Sequence, residues 1–141
     1  MPNILLDPTQ RSSLMASIHS KNTKPEMIVF DELERRGVRF RRHYEKVLGN
    51  PDLARPIRKL AVFIDGDFWH GREIDRVIAR YGEKSSWAQK LRRTMARDLL
   101  QEAELRSTGW AVLRVWESDI KRLRTRTAAI DQIQAFLESR D

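Results

Sequence analysis

Leu60-Ala61-Val62-Phe63-Ile64, running into Asp65-Gly66-Asp67 and then Phe68-Trp69-His70-Gly71, decides the fold of this chain. The first five residues are apolar and partly β-branched, which predicts a strand. It ends abruptly in two aspartates, where a buried strand emerges at the edge of a sheet. Upstream, Leu48-Gly49-Asn50-Pro51 predicts a turn that delivers Asp52 onto a second short strand. Val38 to His43 alternates loosely and predicts another. Before it, Thr23-Lys24-Pro25-Glu26 predicts a helix start: Thr23 can cap, Glu26 sits where a capping box needs it, and Pro25 suits the first turn. That helix turns Ile28, Val29 and Leu33 inward and stops at Gly37.

Downstream, Ile74 to Ala79 is weakly helical. Trp87 to Arg106 predicts a long helix with Trp87, Leu91, Met95, Leu99 and Ala103 in an i, i+4 stripe. Gly109 opens a strand from Trp110 to Trp116, and Ser118 is a candidate cap for a last helix carrying Ile120, Ile130, Ile133, Phe136 and Leu137. The expected fold class is therefore α/β (α+β), a central mixed sheet flanked by helices. Residues 1–24 read as an arm with a short helix over Ser12 to Ile18, and residues 25–141 as a single domain.

The chain has 141 residues, no cysteine and 40% hydrophobic residues. That length suffices for one core and argues against wholesale disorder. Lacking thiols, it has no disulfides, thiolate zinc sites, iron–sulfur clusters or cysteine nucleophile. No apolar run approaches about 18 residues and the N-terminus lacks signal-peptide order, so a soluble cytoplasmic protein is expected. Net charge is +7, and 20 of the 27 basic residues are arginine, whose planar fork suits phosphate oxygens. Eight basic residues but only two acids, Glu45 and Asp52, lie between Arg35 and Arg58. A second cluster comprises Lys90, Arg92, Arg93 and Arg97, and a third runs from Lys121 to Arg126. Such blocks fit a nucleic-acid surface or, more plainly, a solubilising face.

Several polar residues sit at the ends of these elements. Asp52 lies at a turn among arginines, Asp65 and Asp67 close the apolar strand, and His70 follows. Glu26 opens one helix and Asp98 lies one step off the stripe of another. Carboxylates in a cationic surface suit a divalent ion that must meet an anionic substrate, and a nearby histidine can take a proton from water. Each also has a plain structural reading: capping for Glu26, ion pairing for Asp98, a turn for Asp65-Gly66, a structural histidine for His70.

Taken in order, the motifs are more specific. Arg11-Ser12-x-x-Met15-x-x-Ile18 with Thr23-Lys24-Pro25-Glu26, Gly49-Asn50-Pro51-Asp52-Leu53, and Phe63-x-x-Gly66-x-Phe68-Trp69-His70-Gly71 resemble the very-short-patch-repair (Vsr) DNA mismatch endonucleases. Trp87-x-x-Lys90, Arg97-Asp98 and Gly109-Trp110-x-Val112-x-x-Val115-Trp116-Glu117 complete the resemblance. It implies a restriction-endonuclease-like core that hydrolyses a phosphodiester of double-stranded DNA with Mg2+, or Mn2+ in its place. It also implies that Asp52 and the main-chain carbonyl of Ile64 hold the metal. His70 takes the place of the general base, Glu26 and Asp98 match the acids around the metal waters and the histidine, and Asp65 stands where the family has another active-site histidine. Met15, Phe68 and Trp69 fall where the family wedges side chains into the base stack, and Arg41, Arg42, Lys90 and Arg93 are the expected further DNA contacts. The implied act is a nick near a mismatched pair, by a monomer, with mismatch-repair proteins as partners. The alternatives are a homing or restriction-type nuclease on intact DNA and a DNA-binding module with a decayed site. The family's structural zinc is not expected, since its ligand positions carry Asp67, Arg72, Ile74 and Ser118 here.

Overall fold

Strand β3, Leu60–Asp65, is buried along its whole length, as befits a central strand with both faces covered. The computed structural model describes residues 22–140, and β3 organises them. Helix α1 (Lys24–Arg35), β1 (Arg41–Arg42) and β2 (Leu53–Arg55) precede it, with a single 3₁₀ turn at Pro56–Arg58. Helices α2 (Ile74–Tyr81) and α3 (Ser86–Ser107), β4 (Ala111–Trp116), α4 (Glu117–Lys121) and α5 (Leu123–Leu137) follow. The sheet order is β1-β2-β3-β4. The first two pairings are antiparallel, with Arg41 opposite Ala54 and Leu53 opposite Val62. Strand β4 returns parallel to β3, from Leu60 opposite Ala111 to Asp65 opposite Trp116. Helices α2 and α3 provide the crossover that a parallel return requires.

Alternation along β3 divides the core. Val62 and Ile64 join Leu53 and Val115 beneath α1, α4 and α5, against Val29, Phe30, Leu33, Ile120, Ile130 and Ile133. Ala61 and Phe63 face the other way, with Ala54, Val112, Trp110 and Leu105 of α3. Asp65 and Arg114 share the parity of Phe63 and Val112, so both polar side chains fall on the face that α3 crosses.

Three sequence expectations need correction. The strand over Val38 to His43 shrinks to Arg41–Arg42 at the sheet edge, and the chain leaves extended geometry at His43, whose φ is 49°. Ser118 lies inside α4, whose N-cap is Trp116, and the final helical region breaks at Arg122 into α4 and α5. The stripe on α3 also fails beyond its first half. Trp87 and Leu91 are buried, but Leu99 is 70% and Leu100 72% exposed. At about 100° per residue, each four-residue step drifts by about 40°, so a strict i, i+4 series rotates off the core. Leu105 returns to Trp87's azimuth after five turns and is buried. Asp98 lies close to that same azimuth and Glu102 not far from it, so the inner face of α3 is apolar at both ends and acidic between.

This asymmetry has a direct test by urea denaturation. Leu91→Ala is expected to cost about 2–5 kcal/mol, as for a fully buried leucine. Leu99→Ala is expected to change stability by no more than about 0.5 kcal/mol.

Candidate active site

Antiparallel pairing of β2 with β3 brings the start of one strand to the end of the other, and a buried carboxylate fills the junction. Asp52 immediately precedes β2, and its Oδ2 accepts the Ile64 amide at 2.7 Å. An extended residue presents its N–H and C=O to the same strand edge, so the Ile64 carbonyl leaves β3 on the side of Asp52. Glu26, 7% exposed in the first turn of α1, comes to the same place. Its Oε1 accepts the Thr23 amide at 3.1 Å, so it serves as a capping residue as well. His43 joins them, its Nε2 3.7 Å from Glu26 Oε1. Glu26, His43 and Asp52 can each present one ligand atom such that the three lie within 4.8 Å of one another. Burial holds the Asp52 carboxyl well above the usual carboxylate range. The Ile64 amide opposes that rise, while the neighbouring Glu26 and Asp65 add to it. Crowded, dehydrated carboxylates of this kind are what a divalent cation relieves, so the residues fit one.

The second half of the site lies at the end of β3. His70 Nδ1 stands 2.6 Å from Asp98 Oδ2, and its Nε2 is 3.9 Å from Asp65 Oδ1. Both oxygens of Asp65 accept from Arg114, at 3.1 and 3.2 Å. Arg114 also donates to Glu102 at 3.1 Å, and its guanidinium lies over the Phe63 ring at 4.4 Å. Burial alone would depress the His70 pKa, but the Asp98 hydrogen bond and the charges of Asp65 and Asp98 outweigh it, and the net shift is upward. Asp65 is raised by burial, against the pull of His70 and Arg114. Donation from Nδ1–H to Asp98 leaves Nε2 as the lone-pair nitrogen, the tautomer a general base requires.

Glu26, Asp52, Asp65, His70 and Asp98 therefore converge on one end of the sheet, with the Ile64 main chain between the two halves. The expected DNA contacts are more dispersed. Phe68 is half-buried, while Trp69 is 7% exposed and packs on Trp87 with ring centroids 5.7 Å apart. Trp69 is thus a core residue of the DNA-free chain. Lys90 lies 5.0 Å over its ring. Arg42 pairs with Glu34 and lies over Phe30, whereas Arg41 and Arg93 are exposed. Met15 lies outside the described residues.

At the positions of the family's zinc ligands, Asp67, Arg72 and Ser118 bind one another. Asp67 accepts the Ser118 amide at 3.0 Å and its hydroxyl at 2.5 Å, and Arg72 donates to Asp67 at 3.2 Å and to Ser118 at 2.9 Å. One carboxylate, a guanidinium and a hydroxyl already satisfied among themselves do not make a zinc donor set. They fasten the loop after β3 to the start of α4 instead.

Two participants, His43 and Arg114, did not stand out in the sequence. His43 is hidden by its arginine-rich surroundings, and only its place on the strand paired with Asp52 could have indicated it. Arg114 carried a signal, as a single charge inside the apolar run Trp110 to Trp116.

A mixed sheet that gathers a buried aspartate, further carboxylates and an aspartate-anchored histidine at one end, in a strongly cationic chain, suits a hydrolase of phosphodiesters. A family model described as DNA mismatch endonuclease Vsr matches residues 4–76. A type II nicking enzyme of Haemophilus parainfluenzae, V.HpaIIP, is 40% identical over 119 residues, covering 82% of this chain and 83% of that protein. Another from Neisseria meningitidis serogroup C, V.NmeDIP, is 38% identical over 116 residues, 82% of this chain and 78% of its own. The DNA mismatch endonuclease Vsr of Escherichia coli (strain K12) is 27% identical over 115 residues, 82% of this chain and 74% of its own. The chain belongs to the Vsr family of DNA endonucleases, and its fold is the restriction-endonuclease-like core of that family.

Two measurements probe the two halves of this end of the sheet. In the metal-free protein, NMR titration of His70 is expected to give a pKa above the ordinary histidine value of 6.5. Asp98→Asn should move it downward, because burial then acts with less opposition. For the clasp, a zinc-selective chelator should leave the melting temperature unchanged, while Asp67→Ala should lower stability by about 1–3 kcal/mol.

Proposed function

We propose that this protein nicks one strand of double-stranded DNA beside a mispaired base, using a divalent cation, Mg2+ or Mn2+, held by Asp52 and the Ile64 carbonyl. The observation that carries this reading is the placement of the His70–Asp98 pair next to the buried Asp52–Ile64 junction, within one sheet end. A proton acceptor and a cation anchor side by side suit hydrolysis of a phosphodiester. When bound, the cation supplies charge neutralisation at the scissile phosphate. His70 Nε2 takes the proton of the attacking water, and Asp98 orients the ring and stabilises the imidazolium that results. The neutral form of His70 is the active one, so turnover rises as pH climbs through its pKa and is lost below it. Glu26 adds negative charge beside Asp52, and Arg114 holds Asp65 in place at the end of β3.

DNA binding is assigned to the cationic surface. Exposed Arg41, Arg93 and Arg97 are free to meet phosphates, with Arg42 and Lys90 beside them. Met15, which lies outside the described residues, is assigned to the base stack as well. Phe68 is the aromatic best placed to leave its cluster and wedge a base step, where a mispair lowers the unstacking cost. Trp69 backs it from below and reaches the stack only if the cluster opens. A mismatch substrate is favoured by the family's description. Cutting at a specific site in intact DNA remains the rival, because the more similar relatives are named type II nicking enzymes.

A duplex carrying one G·T pair, its matched counterpart, and Mg2+ or Mn2+ present or omitted distinguish these outcomes on a denaturing gel. A single-strand break confined to the mismatched duplex with cation is expected; equal cutting of both duplexes selects the rival. Asp52→Asn should lower nicking by roughly 10³-fold or more, with DNA affinity nearly unchanged. Phe68→Ala should weaken DNA binding by about 1–3 kcal/mol at little cost in stability, whereas Trp69→Ala should also lower the melting temperature.

A further inference from the structure

His70 is committed to Asp98, but the second histidine among the described residues has no part in that pair. His43 closes β1 with φ 49°, a left-handed conformation uncommon outside glycine. Its amide donates to the Asp52 carbonyl at 2.9 Å, which ties it to the cation anchor across the strand pair. Its ring stands edge-on to Phe30, centroids 5.5 Å apart and planes at 90°. That apolar wall limits where the ring can turn. Its Nε2 faces oxygens, Asn22 Oδ1 at 3.2 Å and Glu26 Oε1 at 3.7 Å. Backbone held in a sparsely populated region, beside a functional centre, is a sign that the position of the side chain matters.

The distances allow coordination. Donor atoms of Glu26, His43 and Asp52 lie within 4.8 Å of one another. A cation about 2.0–2.3 Å from each donor spans pairs up to about 4.5 Å apart, so side-chain adjustments of a few tenths of an ångström close the site. An imidazole is the borderline-soft member of such a set. It adds little to the binding of Mg2+, which prefers oxygen and keeps its waters, and more to that of first-row transition ions.

We propose that His43 is a protein ligand of the divalent-cation centre, making Glu26, His43 and Asp52 a mixed nitrogen–oxygen site that favours Mn2+ over Mg2+. This inference rests on Asp52 as the cation's anchor.

Electron paramagnetic resonance of the full-length chain with Mn2+ separates the two claims. The wild-type echo-modulation spectrum should carry an imidazole nitrogen coupling that persists in His70→Asn and vanishes in His43→Asn. Asparagine is chosen because it tolerates the left-handed backbone, and His43→Gly serves if that variant fails to fold. Mn2+ affinity should fall about 10–100-fold in His43→Asn, and Mg2+ affinity, read by competition, less than about threefold. A wild-type Mn2+ complex without nitrogen coupling, or a coupling that survives in His43→Asn, overturns the inference. The first result would leave His43 as a hydrogen-bonding partner of Asn22 beside Glu26. Asp52→Asn distinguishes the failures. If it abolishes Mn2+ binding while His43→Asn changes nothing, the anchor stands and only the His43 ligand falls. If Asp52→Asn binds Mn2+ as the wild type does, the anchor itself is wrong and this inference falls with it.

Discussion

A carboxylate at the end of a strand buried on both faces must be answered by a cation or be neutral, and Arg114 answers Asp65. The two share a sheet face because β3 and β4 run parallel in register. From this pair the rest of the site extends outward: Arg114 reaches Glu102 on α3, and His70 stands between Asp65 and Asp98. Removing the guanidinium would leave Asp65 and Asp98 facing one imidazole, and Glu102 without its partner, in a place where burial already opposes charge. The site is therefore built as alternating signs, each neighbour justifying the next.

The long helix shows how such a site coexists with a core. Trp87, Ala88 and Leu91 lock the start of α3 against the aromatic cluster, and Leu105 locks its end against β4 and Phe63. Between those anchors the helix can carry Asp98 and Glu102 inward, since its position is already determined elsewhere. Rigid, apolar attachment on either side holds the His70 hydrogen bond to a short distance without asking the polar residues to supply the packing energy.

Much of this was legible in the residues. The apolar run of β3, the cap and glycine stop of α1, and the apolar start of α3 each follow a local rule, and the structure keeps them. Asp52 and His70 were legible as candidates because polar residues at the ends of apolar elements stand apart from their surroundings. What escaped depends on tertiary placement. Leu99 fits a stripe that the helix pitch rotates into solvent. Trp69 sits in an exposed-looking loop motif yet is closed over by Trp87, eighteen residues later. His43 matters through its neighbours across the strand pair, which no local pattern of charge or period records, and the lone charge of Arg114 in its apolar run marks the residue without naming its partners.

The clasp of Asp67, Arg72 and Ser118 gives the chain a different set of vulnerabilities from a fold closed by thiolates. Zinc–thiolate closures yield to oxidants and to scarcity of the metal, both of which are conditions of the surroundings. A clasp of hydrogen bonds and charge has no redox chemistry and is made of the chain's own side chains, but its ion pair weakens in strong salt. The exchange moves the molecule's sensitivity from metal supply and oxidation towards ionic strength. In this cysteine-free nuclease the loop after β3 is thus closed by side chains alone, Asp67 and Arg72 meeting Ser118.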